Sequence, residues 1–130
     1  MLMTREMDYL LRILRALHRH GQLSAGAIAA EERIPRSVTV KLLKRLHAAG
    51  LVESRRGSGG GYLLKVPCGQ LTLYRLFDHL GERPLLNRCQ DPDYRCERAP
   101  EGNCGICREL DRVQRSLDEA LERTPLSEVF

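Results

Sequence analysis

Four cysteines fall within 19 residues, Cys89, Cys96, Cys104 and Cys107, spaced C-x6-C-x7-C-x2-C, and a fifth, Cys68, stands apart upstream. Thiols gathered at short range on a polar segment, with no secretory leader ahead of them, point to metal ligation or redox chemistry before structural disulfides. Structural zinc sites usually pair two C-x2-C knuckles, and only Cys104 and Cys107 form one here. Iron–sulfur clusters need no such spacing and are selected by soft sulfur donors. On chemistry alone three uses stay open: an iron–sulfur cluster (4Fe-4S or 2Fe-2S), zinc, or a thiol–disulfide switch with no metal. The Cys104-Gly105-Ile106-Cys107 run at a helix start also suits a thiol oxidoreductase. The strand that precedes such a motif in thioredoxin-like folds is missing. Cys68, being alone, reads as a small buried hydrophobe.

The segment that carries the cysteines cannot order itself by burial. Residues 81–105 are poor in apolar side chains and rich in Asp, Pro, Arg and Gly, so a bound group or the thiols must hold them. Beyond them Ile106, Leu110, Val113, Leu117 and Leu121, at steps of 4, 3, 4 and 4, predict a helix over residues 106–123. Its single narrow apolar stripe asks for a partner helix, and in a chain this small the partner is the same helix of a second subunit.

A second stretch with chemistry is residues 34–66. Leu42, Leu43 and Leu46 give a helical stripe from Pro35 to Ala49, while Arg36, Lys41, Lys44 and Arg45 stay on its polar side. Pro35 suits the first turn and Gly50 the left-handed closure. Leu51–Ser54 and Tyr62–Val66 read as strands around the glycine-rich turn Arg55-Arg56-Gly57-Ser58-Gly59-Gly60-Gly61. A basic helix followed by a basic hairpin is the winged form of helix-turn-helix: the helix fits the DNA major groove and the hairpin reaches phosphates or the minor groove. The candidate DNA contacts are Arg36, Ser37, Thr39, Val40, Lys41 and Lys44 on the helix, with Arg55 and Arg56 on the wing. Val40 either meets a thymine methyl or packs.

The remaining elements position these two sites. Leu10, Ile13, Leu14 and Leu17 predict a scaffold helix over residues 4–20, capped by Thr4 and stopped by Gly21. Leu23-Ser24 opens a second helix over residues 25–33, and Ile34-Pro35 turns into the basic helix. Leu73, Leu76, Phe77 and Leu80 form a further short helix that packs back on the winged domain. Residues 1–67 hold 12 Lys and Arg against 5 Asp and Glu, residues 68–130 hold 9 against 12, and the net charge is +4. The positive half is thus the half with the helix-turn-helix. No apolar run reaches membrane-spanning length and charges interrupt the first twenty residues, so the expected location is the cytoplasm, with no membrane partner. The histidines are scattered, with no Ser-His-Asp constellation or phosphate loop, so no enzyme is expected. Scarce aromatics, two Phe, four Tyr and no Trp, weigh against an RNA-stacking zinc protein. The predicted architecture is mostly α with a small β-hairpin wing: a winged helix-turn-helix domain over 1–80, a cysteine-rich loop over 81–105, and a dimerisation helix with its tail over 106–130.

Strand, wing and strand from Leu51-Val52 through Ser54-Arg55-Arg56-Gly57-Ser58-Gly59-Gly60-Gly61-Tyr62-Leu63-Leu64, then Leu71-Thr72-Leu73, the cysteine loop, and Pro125-Leu126-Ser127-Glu128-Val129, together resemble the Rrf-two family of bacterial winged helix-turn-helix regulators. The glycine-rich wing followed by a three-cysteine loop is the specific combination. The resemblance implies a homodimer through crossing C-terminal helices, binding to double-stranded operator DNA, and an iron–sulfur cluster near the dimer interface that senses redox state, nitric oxide or cluster supply. It implies Cys89, Cys96 and Cys104 as ligands. The family's fourth ligand varies: one branch has a histidine at the position of Cys107, another an aspartate in the first helix of the partner subunit, at the position of Asp8. The softer thiolate favours Cys107. The cysteine spacings are longer than the family's pattern.

Overall fold

The structure, a computed structural model, describes residues 2–99 and 101–130. Helix α1 (Arg5–His20) begins where the Thr4 hydroxyl accepts the Met7 amide at 3.2 Å, and ends at Gly21, whose φ of 77° suits glycine. Strand β1 is the two-residue Gln22–Leu23. Ser24 then caps α2 (Ala25–Glu32) by accepting the Ala27 amide at 3.1 Å. Helix α3 spans Arg36–Ala48, with Pro35 at its cap position and Gly50 at φ 74° beyond its end. Strands β2 (Val52–Arg55) and β3 (Gly61–Leu64) form the wing; α4 (Leu73–His79) is capped by Thr72; α5 spans Gly105–Glu122. Short 3-10 turns at Cys68–Gln70, Arg88–Gln90 and Leu126–Glu128 complete the order.

The fold is the expected one, mostly helical with a winged helix-turn-helix, but the wing is a sheet of three strands ordered β1-β3-β2, all antiparallel. Leu23, read as opening α2, lies instead in β1, paired with Tyr62. Gly61 explains how β1 comes so close: a Cβ there would stand 2.7 Å from the Leu23 carbonyl oxygen. The Gln22 side chain also donates to the Gly59 carbonyl, tying the tip of the wing to β1.

One core runs through the molecule. Leu10, Ile13, Leu14 and Leu17 of α1 are shut off from solvent with Ile28 of α2, Leu42, Leu43 and Leu46 of α3, Leu51, Leu71, and Leu76 of α4. Leu126, from the turn after α5, enters the same core, and its amide donates to the Leu71 carbonyl at 2.8 Å. Cys68 is buried there too, as its isolation predicts, and burial pushes its thiol up to about 11.

Between α1 and α2 sits a charged clamp that apolar periodicity gave no reason to expect. Glu32, 5% exposed, receives the Arg15 guanidinium through Nε at 3.1 Å and through Nη2. The fork geometry satisfies both carboxylate oxygens, which is what makes the burial tolerable. Arg15→Ala removes that partner and leaves a buried carboxylate; the expected loss is about 2 kcal/mol of unfolding free energy, measured as a lowered denaturant midpoint with an unchanged slope.

Candidate DNA-binding face and cysteine site

The residues of α3 expected to contact DNA do not all lie on its outer face. Arg36 and Ser37 are exposed in its first turn, Val40 is half-buried, and Lys41 and Lys44 are exposed. Lys41 reaches Glu6 of α1 at 3.4 Å, while Lys44 has no ion pair among the described residues. Thr39 does not belong with them. It is fully buried, its hydroxyl donating to the Pro35 carbonyl at 3.2 Å, so it closes the first turn of α3 from the core side and cannot reach a base.

The wing carries Arg55 and Arg56, both exposed, with Glu53 3.7 Å from the Arg55 guanidinium. Its turn depends on Gly60, where a Cβ would come within 2.4 Å of the Arg55 carbonyl oxygen. Between α3 and the wing lies a cavity of about 200 Å³ lined by Lys44, His47, Ser54 and Tyr62. Ser54 and Tyr62 are opposed across β2 and β3, and Lys44 and His47 lie three residues apart on α3. The lining brings one cation together with three hydrogen-bonding side chains and holds no carboxylate. No spacing in the sequence marks His47, Ser54 and Tyr62 as a group; only strand register brings them to Lys44.

The four loop cysteines come together. Cys89, from the 3-10 turn, Cys96, Cys104 at the cap of α5, and Cys107 in its first turn line one cavity of about 230 Å³ with Tyr94, Arg95 and Asp111. All four are half-buried and free. The backbone amide of Cys107, its thiol, and the amide of Ile106 hold the Cys104 thiol below the usual range, as a helix N-terminus does. The Cys107 thiol is pushed up to about 12 by its contacts with the Cys89 and Cys104 thiols. Asp8 is not brought to them within one chain: it pairs with Arg12 at 3.0 Å and lines a separate cavity of about 630 Å³ beside Leu121, Val129 and Phe130.

The donor set fits an iron–sulfur cluster: four soft sulfurs around one cavity. Beside Cys89, the Gln90 side-chain oxygen is buried without a donor. Among the described residues, no three His, Cys, Asp or Glu converge as a single metal ion requires.

The helix pair α2 and α3, a three-stranded wing and a long C-terminal helix define a winged helix-turn-helix fold. Residues 3–130 match the family described as Rrf2, iron-dependent transcriptional regulator, and the chain belongs to that family. It is 36% identical over 70 residues to the transcriptional regulator IscR of Cronobacter sakazakii, covering 54% of this chain and 43% of that one. The chain spans about half the length of the curated relatives it matches. Among solved structures, IscR of T. potens superposes with a TM-score of 0.71 at 21% identity, covering 97% of this chain and 83% of that one, and establishes likeness of fold. CymR, the global cysteine regulator of B. subtilis, superposes with a TM-score of 0.70 at 26% identity, covering 97% and 92%. These relatives are transcriptional regulators and not enzymes, in keeping with the lack of a catalytic constellation in the sequence.

The thiol environments give a reactivity order. In metal-free protein at neutral pH, iodoacetamide is expected to label Cys104 before Cys107 and to leave Cys68 unmodified until the chain unfolds, as read by peptide mass mapping over time.

Proposed function

We propose that this chain is a homodimeric, cytoplasmic DNA-binding regulator whose affinity for double-stranded operator DNA follows the state of an iron–sulfur cluster held by Cys89, Cys96, Cys104 and Cys107. The observation that carries the reading is the single cavity those four thiols share at the start of α5. Three of them are the ligands that the family resemblance implies, and Cys107 supplies the fourth from its own chain, in preference to Asp8. When bound, such a cluster supplies a centre that answers to oxidation, nitric oxide and iron–sulfur supply. The chain's own part is to hold the thiols, to bind DNA and to join the two.

Dimerisation through α5 accounts for an apolar stripe that its own chain leaves open. Ile106 is 72% exposed and Val113 39%, with Leu110 and Leu117 only partly covered, whereas Leu121 is buried at the end that meets the core. A second α5 crossing this stripe removes it from water. Residues 1–80 then form the DNA-binding head, 81–105 the sensing loop, and 106–130 the dimer helix and tail. On the head, Arg36, Ser37, Val40, Lys41 and Lys44 face the major groove, with Arg55 and Arg56 on neighbouring phosphates or the minor groove.

A thiol–disulfide switch is the second reading, favoured by the placing of Cys107 in one cavity with Cys89 and Cys104, all of them free thiols. Anaerobic purification separates the two. The expected product is a coloured protein with iron and sulfide in near-equal amounts, whose visible absorption disappears in each of Cys89→Ala, Cys96→Ala, Cys104→Ala and Cys107→Ala but is kept in Asp8→Ala. A colourless protein that forms a Cys107 disulfide on mild oxidation would replace the cluster by the switch. For the DNA face, Arg55→Ala with Arg56→Ala is expected to weaken binding to a mixed-sequence duplex and to flatten its logarithmic salt dependence by about 0.9 for each phosphate no longer neutralised. An unchanged slope would remove the wing from the interface.

A further inference from the structure

Helix α5 carries a second stripe beside the apolar one. Cys104, Cys107, Asp111, Gln114, Asp118 and Glu122 follow at steps of 3, 4, 3, 4 and 4, so they share one face. Three of them reach different parts of the chain. Asp111 accepts from the Gln90 side chain at 3.3 Å, next to Cys89. Glu122 accepts from Arg75 of α4 at 2.8 Å and from the Thr72 hydroxyl. Between them Gln114, 6% exposed, accepts the Leu86 amide at 2.8 Å and donates to the Pro84 carbonyl at 3.1 Å and to Asp118 at 2.8 Å.

Gln114 therefore fixes the segment that leads into the cysteine loop by meeting one backbone donor and one backbone acceptor, a pairing for which a carboxamide carries both groups on a single side chain. At the other end of that segment Glu82 pairs with Arg45 of the recognition helix, and Arg45 also meets Glu6 of α1 at 3.3 Å. His79 Nδ1 lies 3.3 Å from the carbonyl oxygen of Ala49, just past the end of α3. A set of hydrogen bonds and ion pairs thus runs from the cysteine site, through Gln114 and residues 82–90, to α3.

We propose that Gln114 is a positioning residue that makes the placement of residues 82–90 depend on the order of the cysteine site, and that the Glu82–Arg45 pair carries that placement to the recognition helix. The inference rests on the sensing role proposed above for the cysteine loop. It assigns the coupling to a segment that both sites contact, as coupling between sites requires.

Hydrogen exchange on the full chain tests it in two arms, in wild type, Gln114→Leu and Glu82→Gln. In the first arm the loop thiols of metal-free protein are alkylated with iodoacetamide; in the second the protein is reconstituted anaerobically with iron and sulfide. The expected result is that either treatment changes exchange in wild type over both 82–90 and 36–48, by at least about 5-fold in the second segment. In Glu82→Gln the response at 36–48 disappears while that at 82–90 persists, and in Gln114→Leu both are weakened. A response at 36–48 that is equal in all three proteins, or absent from wild type in the alkylation arm, overturns the proposal. Wild type that takes up no iron or sulfide overturns the cluster reading instead, and the alkylation arm then decides the relay on its own. The Glu82–Arg45 pair lies at the surface, so Glu82→Gln decides the relay even if Gln114→Leu does not fold.

Discussion

The burial of one face of α1 is the constraint on which the other elements depend. Leu10, Ile13, Leu14 and Leu17 belong to one core with side chains from α2, α3, α4, the wing and the tail, so the hydrophobic contribution of that stripe sets the geometry of the whole head. The inner face of α3, Leu42, Leu43 and Leu46, is used up in that core, which leaves its basic outer face in solvent. Thr39 belongs to this inner face. The Arg15–Glu32 clamp adds direction to a contact that hydrophobic burial leaves non-directional.

The second half of the chain is ordered on a different principle. Residues 81–99 and 101–105 bury little, and polar contacts fill the place of a core: Gln114 on the backbone of residues 84 and 86, Asp111 on Gln90, and Arg83 on the Tyr74 hydroxyl at 3.1 Å. Such contacts give little net stability each and are sensitive to charge and ligation. A region built so has less to hold it in one arrangement than the core of the head has.

How much is legible in the sequence follows from how many residues express each feature. Helices α1, α3 and α5 repeat their apolar spacing over several turns, and their extents can be read to within a residue or two. Strand β1, only two residues long, has no period to show, and its existence depends on Gly61 and on pairing with distant Tyr62. The gathering of Cys89, Cys96, Cys104 and Cys107 can be anticipated from their closeness in sequence. The grouping of His47, Ser54 and Tyr62 with Lys44 cannot, because it is made by register. Thr39 misleads because a hydroxyl on a basic helix reads as outward, whereas its bond to the Pro35 carbonyl satisfies it inside. The polar stripe of α5 is present in the sequence at helical spacing but carries no hydrophobic signal, and amphipathicity is usually sought on the apolar side.

Helix α5 meets the hydrophobic core at one end only, and farther along it is held by the polar contacts of Gln114 and Asp111. Leu121 and Leu126 fix its C-terminal end, while the cysteines stand at its N-terminal tip, the far end of an 18-residue helix. At 1.5 Å per residue the helix is about 27 Å long, so a tilt of about 5° about its core end corresponds to a displacement of about 2 Å at the tip. The thiols stand where a change in the helix's angle is amplified most, and the bonds of Gln114 and Asp111 lie along the arm, where any such tilt has to carry residues 84–90 with it.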